Sequence, residues 1–299
     1  MNKCLVILNP AARGDRAREV KSAIEALSTR SVVRMTKNSG DARMMAAEGA
    51  REGFRTIVAA GGDGTVNEVA NGIFAADVRF GILPVGTMNV FAAELGIPVN
   101  NLPRAWQIIE QGHMRRLDLP VANDDCFVQL AGIGLDAEVV RLTTPDFKKA
   151  MGPLSYLLTL AQVAFATPPR VRLEPSDSHV REGSFVLIGN GRLYGGPFVL
   201  FKDAHMEDGL LDVLVFQNQS HWDVVRYFQA IAFGSHPDLP DVEYFQTRSM
   251  LVSSSGEVPV ELDGELAGKL PCRFAMSAHK LNVLVPQGHP VSAIRRRHQ

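Results

Sequence analysis

A chain of 299 residues, 46% hydrophobic and 21% charged, has room for one large or two medium domains, each with its own core. Its formal net charge of −1 supplies no global field toward nucleic acid or an anionic membrane, so nucleic acid is not expected as a partner and any membrane attraction has to be local. The three cysteines, Cys4, Cys126 and Cys272, are far apart, odd in number and without metal-ligand spacing, which points to buried thiols in a reducing compartment.

The first apolar run, 5–8, is too short for a signal peptide and leads directly into the Asn9-Pro10 turn, so it reads as a strand. A polar helix to about Ser28 follows, then a second strand at 31–35 ending at Thr36. Asn38-Ser39-Gly40-Asp41 is expected to cap a helix rich in Ala, Met and Arg. A third strand at 56–60 ends in Gly61-Gly62-Asp63-Gly64-Thr65, and an apolar-periodic helix begins there. A fourth, 80–83, ends in Pro84-Val85-Gly86-Thr87-Met88-Asn89 and another helix that stops at Gly96. Strand and helix in strict alternation predict an α/β domain, residues 1–118, with a mostly parallel sheet covered by helices. Such sheets bind ligands outside the carboxyl ends of their strands, where Asn9, Thr36 and both glycine-bearing turns fall.

Past Leu117 the pattern changes to short apolar or alternating segments at 126–131, 171–173, 185–188, 198–201, 211–216, 250–252, 258–262 and 281–285. Asn123-Asp124, Gly195-Gly196, Asp208-Gly209 and Asp263-Gly264 punctuate them. This predicts an antiparallel β-sandwich or barrel-like second domain, residues 119–287, with helices at about 152–166 and 222–233. Residues 288–299 could complete the first domain. The stretch 151–166 falls short of the ~20 apolar residues that span a bilayer. Its Leu154, Leu157, Leu158, Ala161 and Phe165 form a helical face that suits core, an acceptor groove or a membrane surface. The expected location is cytoplasmic, with peripheral membrane contact as an option. The basic tail Arg295-Arg296-Arg297 reads as solvated.

The turn after the third strand carries the chemistry. Glycines let backbone amides approach a ligand without Cβ obstruction, and the helix that follows adds unpaired N–H groups and the positive end of its dipole, which favour phosphate. No Gly-Lys-Ser/Thr follows, so this is not a Walker A loop, and no G-x-G-x-x-G stands at the first strand. Asp63 would repel phosphate unless a Mg²⁺ or a ribose hydroxyl lay beside it.

In order, Gly61-Gly62-Asp63-Gly64-Thr65, Pro84-x-Gly86-Thr87-x-Asn89 and Asp263-Gly264-Glu265 resemble the motifs of the diacylglycerol kinase catalytic-domain family, most closely its soluble bacterial lipid-kinase branch. Asn9-Pro10, Thr36-x-x-x-Gly40-Asp41-Ala42, Gly132-Ile133-Gly134-Leu135-Asp136-Ala137 and Gly189-Asn190-Gly191-Arg192 fit the same pattern. The resemblance implies an N-terminal fold like that of NAD kinases and phosphofructokinases followed by a β-sandwich, with ATP as donor and a lipid hydroxyl as acceptor. It places Asn9, Thr36, Gly61, Gly62, Asp63, Gly64, Thr65, Val66, Asn67, Gly86, Thr87 and Asn89 at the nucleotide, Glu265 as general base and Asp63 beside it in catalysis. It also implies a Mg²⁺ site away from the reaction centre, built from the Asp208 carboxylate and the backbone carbonyls of His205 and Leu210. Without the resemblance, Asp263-Gly264-Glu265 reads as a plain hairpin turn, and 205–210 as a tight turn. Val90 departs from the family, in which many members carry Asp there, so a carboxylate near the catalytic Mg²⁺ is missing. A kinase acting on a soluble acceptor such as NAD or a sugar, and a nucleotide-gated lipid-binding regulator without turnover, stand as alternatives. The identity of the lipid and the oligomeric state are left open by the sequence.

Overall fold

Four parallel strands set the frame. β1 (Cys4–Leu8), β2 (Ser31–Met35), β3 (Thr56–Gly61) and β4 (Arg79–Pro84) lie in the order β2-β1-β3-β4. Residues 5–8 and 57–60 are buried on both sides of the sheet, which is why these strands read as unbroken apolar runs and not as alternation. The computed structural model describes residues 4–12, 17–27, 31–134, 137, 169–196, 198–218 and 220–288. The expected helix at 152–166 with its Leu154–Phe165 face, Leu135-Asp136 of the glycine motif, and the tail from 289 lie outside the described residues.

Helices α1 (Ala17–Leu27), α2 (Asp41–Arg51), α3 (Asp63–Gly72), α4 (Val90–Glu94) and α5 (Leu102–Gln111) connect and cover these strands. Beyond β4 the sheet continues with β18 (Cys272–Leu284), whose Asn282 and Val283 pair in parallel with Arg79 and Phe80. β18 also pairs antiparallel with β5 (Met114–Ala122) and, through 272–275, with β15 (Ser249–Ser254). From there β8 (Val171–Pro175) and β9 (Arg181–Gly183) extend the sheet. The last strand of the chain, expected at 281–285, is therefore thirteen residues long and belongs to the same sheet as β1 to β4. The division expected at 118/119 falls inside β5.

A second, antiparallel sheet runs β14 (Val242–Thr247), β13 (Leu211–Phe216), β10 (Phe185–Gly189), β7 (Leu130–Ile133), β16 (Pro259–Leu262), β17 (Glu265–Lys269). One face packs on the first sheet: Ile133, Val186, Ile188, Val213 and Val215 share a core with Val171, Leu173, Val252 and Phe274. The other face carries Leu187, Leu214 and Phe216 and is covered by α6 (His221–Phe233) through Val224, Tyr227 and Ile231. Phe185 and Phe216 stack at 4.1 Å there, with the Tyr227 ring edge-on. A capping box starts α6, in which Ser220 Oγ accepts the Asp223 N–H and the Asp223 carboxylate accepts the Ser220 N–H. A small hairpin of β11 (Leu193–Tyr194) and β12 (Phe198–Val199) stands outside both sheets. Among the described residues no helix is long and apolar enough to cross a membrane. The three cysteines are free; Cys126 and Cys272 are buried and Cys4 partly so, and burial raises each thiol above its ordinary range.

Candidate active site

The carboxyl ends of β1 to β4 bring Asn9, Thr36, Gly61-Gly62 and Gly86-Thr87 to one edge of the sheet. The turns after β3 and β4 are fastened to each other. Val85 and Gly86 donate their N–H groups to the Gly61 carbonyl at 3.1 and 3.2 Å. Asn89, held in the left-handed region (φ 52°), closes its own turn by accepting the Gly86 N–H and donating to the Gly86 carbonyl. Gly86 and Gly62 meet backbone to backbone, and a Cβ on Gly86 would lie 2.3 Å from Gly62 Cα. Only glycine fits that contact.

At this edge lie the N-termini of α2, α3 and α4, and the chain fills those of α2 and α4 with its own carboxylates. At α2 the Glu68 carboxylate accepts the N–H groups of Gly40 and Ala42 at 2.9 and 3.0 Å. Asp41 accepts those of Lys37 and Asn38, which holds its carboxyl below the usual range. The cap expected from Asn38-Ser39-Gly40-Asp41 is thus supplied from α3 by Glu68, while Asp41 binds the loop before the helix and Gly40 at the N-cap makes no side-chain cap bond. At α4 the Asp63 carboxylate accepts the Phe91 N–H at 3.3 Å and interacts with those of Val90 and Asn89. Burial nevertheless dominates and, with Asp263 nearby, pushes the Asp63 carboxyl up to about 6. At α3 the first intrahelical bond runs from the Val66 N–H to the Gly62 carbonyl. The amides of Asp63, Gly64 and Thr65 donate to no described residue and form the open, positive helix end.

Facing that end is Glu265. It follows the two-residue turn Asp263-Gly264 (φ 50° and 87°), the dihedral signature of a tight hairpin between β16 and β17. A Cβ on Gly64 would meet Glu265 Oε1 at 3.1 Å, so this exposed carboxylate rests against the first turn of α3. It makes no hydrogen bond or ion pair with a described residue. Asp263 fixes the hairpin. Its carboxylate accepts the N–H groups of Val128, Gln129 and Leu130 at 2.8 to 3.0 Å and the Asn67 side-chain amide at 2.7 Å. Asn67 and Asn71, one helical turn apart, both donate to the Cys126 carbonyl, and the Cys126 N–H returns to Asn71 Oδ1. This clasp joins α3 to the hairpin that carries Glu265.

The expected nucleotide residues divide accordingly. Gly61, Gly62, Gly64, Gly86 and Asp63 line the two turns, and Thr87 is exposed at their rim. Thr36 is buried at the end of β2, with its N–H on the Leu8 carbonyl. Asn9 Nδ2 donates to Thr65 Oγ1 at 3.0 Å, so these two side chains hold each other. Val66 lies in the core, and the Asn67 side chain faces the second sheet and not the open helix end.

Glu94, at the end of α4, went unnoticed in the sequence. It is a buried carboxylate that accepts the N–H groups of Arg192 and Leu193 at 2.9 and 2.8 Å and Arg192 Nε at 3.1 Å. It ties α4 to the Gly189-Asn190-Gly191-Arg192 segment. Asn190 in that segment donates to the carbonyls of Asp118 and Val128.

Among the described residues no group of three or more His, Cys, Asp or Glu side chains could hold a metal. The expected set at 205–210 depends mainly on carbonyls. Asp208 Oδ1 accepts the Leu210 N–H at 3.0 Å, and its other oxygen makes no hydrogen bond to a described residue. The His205 carbonyl accepts from Glu207 and Asp208. Burial, with Asp118 close by, raises the Asp208 carboxyl. These are oxygen donors of the kind Mg²⁺ takes.

Residues 3–122 match the diacylglycerol kinase catalytic domain, and residues 130–285 match the YegS C-terminal NAD kinase beta sandwich-like domain. A probable lipid kinase YegS-like protein of Pseudomonas aeruginosa (strain UCBPP-PA14) is 33% identical over 97% of this chain and 96% of its own length. A diacylglycerol kinase of Bacillus subtilis (strain 168) is 29% identical over 96% and 97%. A crystal structure described as a diacylglycerol kinase from Bacillus anthracis str. Sterne superposes with a TM-score of 0.78 at 27% identity, covering 96% of this chain and 97% of that one. The chain belongs to the diacylglycerol kinase catalytic-domain family of kinases, in the bacterial branch that carries the YegS-type C-terminal domain.

Proposed function

We propose that this kinase is a lipid kinase that transfers the γ-phosphoryl group of ATP to a lipid hydroxyl, with Glu265 as general base. The observation that carries the reading is the placement of the Glu265 carboxylate against Gly64, beside the N-terminus of α3, whose first amides donate to no described residue. The α3 amides receive phosphate oxygens, while the acceptor hydroxyl approaches from the side of β17 and gives its proton to Glu265 as it attacks. The Asn67–Asp263–Cys126 clasp holds the base in register with those amides, which is the positioning that phosphoryl transfer requires. Asp63 is the side chain best placed to hold the Mg²⁺ of the nucleotide, and Asp208 with the His205 and Leu210 carbonyls would hold a second, distant ion. When bound, Mg²⁺ neutralises charge on the phosphates.

The test is γ-labelled ATP incubated with the protein and a total lipid extract, the labelled product being identified by mass. The Glu265→Gln variant is expected to lose at least roughly a hundredfold in turnover with ATP affinity unchanged. Full turnover in that variant removes the base. Label on water-soluble alcohols or NAD, and none on lipid, removes the lipid acceptor. Nucleotide binding with no transfer to anything, which the Val90 substitution would favour, removes catalysis.

A further inference from the structure

Phosphoryl transfer spreads negative charge over three oxygens, and kinases meet that charge with cations. The residues gathered at the sheet edge, Asn9, Thr36, the two glycine turns, Asp63 and Glu265, include no cationic side chain, and no Walker A lysine follows the glycines. Lys37 follows β2, the outer strand of the order β2-β1-β3-β4, two strands away from β3.

Arg192 stands on the nearer side. It follows Gly189-Asn190-Gly191 past the end of β10, and Glu94 of α4 accepts its N–H at 2.9 Å and its Nε at 3.1 Å. Glu94 lies one helical turn from Val90, on the same face of a helix whose first amides receive the Asp63 carboxylate. The hairpin that begins at Leu193 reaches the turn after β4, because a Cβ on Gly196 would lie 3.3 Å from Met88 Cε.

A further set of bonds ties Arg192 to the general base. Gln129 donates its side-chain amide to Glu94 Oε2 at 3.3 Å and to the Leu193 carbonyl at 2.9 Å. Its N–H goes to Asp263, two residues before Glu265. Gly191 permits this approach, since a Cβ there would lie 2.5 Å from Gln129 Nε2 and 2.4 Å from Met206 Cε. The anchor of Arg192 and the hairpin of Glu265 therefore meet at a single residue.

Glu94 takes only one edge of the guanidinium. The two terminal amino groups donate to no described residue, and the Arg192 side chain is 32% exposed beside a carboxylate that is 5% exposed. A guanidinium fixed at Nε with its fork open is pre-organised for phosphate oxygens.

We propose that Arg192 is a catalytic residue of the transfer, its terminal amino groups donating to the oxygens of the phosphoryl group as it passes from ATP to the acceptor. The proposal rests on the kinase reading above and holds for a lipid or a soluble acceptor. The acceptor oxygen bonds to the γ-phosphorus as the bond from that phosphorus to the β–γ bridging oxygen breaks. The acceptor proton goes to Glu265, and ADP leaves with the electron pair of the broken bond. Arg192 exchanges no proton; it stabilises charge that develops midway.

Arg192→Met keeps the reach of the side chain and removes the charge. Glu94 retains two backbone N–H groups and Gln129 in that variant, which is expected to melt close to wild type and to bind ADP as tightly. Its turnover of γ-labelled ATP is expected to fall at least about a hundredfold. Arg192→Lys, which keeps a point charge and loses the fork, should lie in between. Binding gives a second readout, because aluminium fluoride with Mg²⁺ and ADP mimics the phosphoryl group in flight. Followed by calorimetry, fluoride should tighten ADP binding to the wild type and not to Arg192→Met. A variant that keeps most of its turnover, or gains as much from fluoride as the wild type, overturns the proposal. So does a loss of turnover matched by an equal loss of ADP affinity, which makes Arg192 a structural latch alone. Where Arg192→Met does not fold, the same fluoride comparison on Arg192→Lys decides, an undiminished gain overturning the role. A wild-type protein that transfers label to nothing removes the kinase reading itself, an outcome seen before any variant is made.

Discussion

The sharpest consequence of the paired turns is that neighbouring glycines should respond differently to the same added methyl group. In Gly86→Ala the new Cβ would lie 2.3 Å from Gly62 Cα and 2.9 Å from Gly62 N. Both are backbone atoms that no rotamer change can move aside. Restoring an ordinary contact requires the turns after β3 and β4 to separate by roughly 1 Å, and overpacking of that kind costs about 1–3 kcal/mol. At the upper end of that range the melting temperature falls by roughly 6–12 °C, and a displacement of this size at a catalytic turn costs roughly a hundredfold in turnover. Gly64→Ala is the contrast. Its Cβ meets only the far end of the Glu265 side chain, at 3.1 Å, and alanine is the better helix former by about 1 kcal/mol. That variant should melt at or above the wild-type temperature yet turn over slowly, because Glu265 is displaced. Thermal unfolding followed by circular dichroism, together with labelled-ATP turnover, separates the two cases. A Gly86→Ala protein that melts within a degree or two of wild type and keeps its turnover would refute the claim that direct backbone contact sets the spacing of the turns.

Asp63 makes stability depend on pH. Because its folded value is raised to about 6, the group contributes nothing below its ordinary range and becomes destabilising as pH rises toward and past 6, by about 3 kcal/mol at most. Asp63→Asn should therefore gain stability relative to wild type between pH 4.5 and 7.5 while losing turnover; an equal stability difference at the two pH values contradicts this. Glu94→Ala strands Arg192 and two amides at a buried junction and should cost about 2–4 kcal/mol in urea unfolding, with Glu94→Gln recovering part of it. Asn71→Ala removes the bonds to the Cys126 N–H and carbonyl. It should lower kcat more than it raises KM for ATP, since it loosens the base and leaves the phosphate amides in place; an unchanged kcat would show that the clasp does not position Glu265.

β1, β3 and β4 were legible because each is a buried apolar run that meets Asn, Gly or Pro at its end, and β2, only half-buried, because its short run leads into the Thr36 turn before the next helix; the observed bounds differ from those read in the sequence by a residue or so. β5 was not. Met114-Arg115-Arg116 opens it with exposed or half-exposed side chains and Pro120 interrupts it, so neither alternation nor an apolar run marks it. β17 is exposed along its whole length and has no pattern to read. The full extent of β18 depends on neighbours drawn from distant parts of the chain, which no local signal encodes. At the site, the glycines announced themselves through spacing. The contact between Glu265 and Gly64 was reachable only through the family resemblance, because nothing near either residue points to the other. Glu68 and Glu94 look like ordinary solvated positions on helices, and only their partners show them to be helix cap and latch. Asn67 and Asn71 did leave a trace: two poor helix formers one turn apart imply a shared task on that face.

The sheet order has a consequence for how the protein is made. β4 meets its outer neighbour only at Asn282 and Val283, far downstream in the chain. A ribosome emitting roughly 5–20 residues per second thus holds that edge of β4 bare until residues 282 and 283 have been made. The glycine turns that would grip ATP are therefore synthesised well before the strand that secures their sheet edge. A polypeptide broken off before β16 would keep both glycine turns and complete neither sheet.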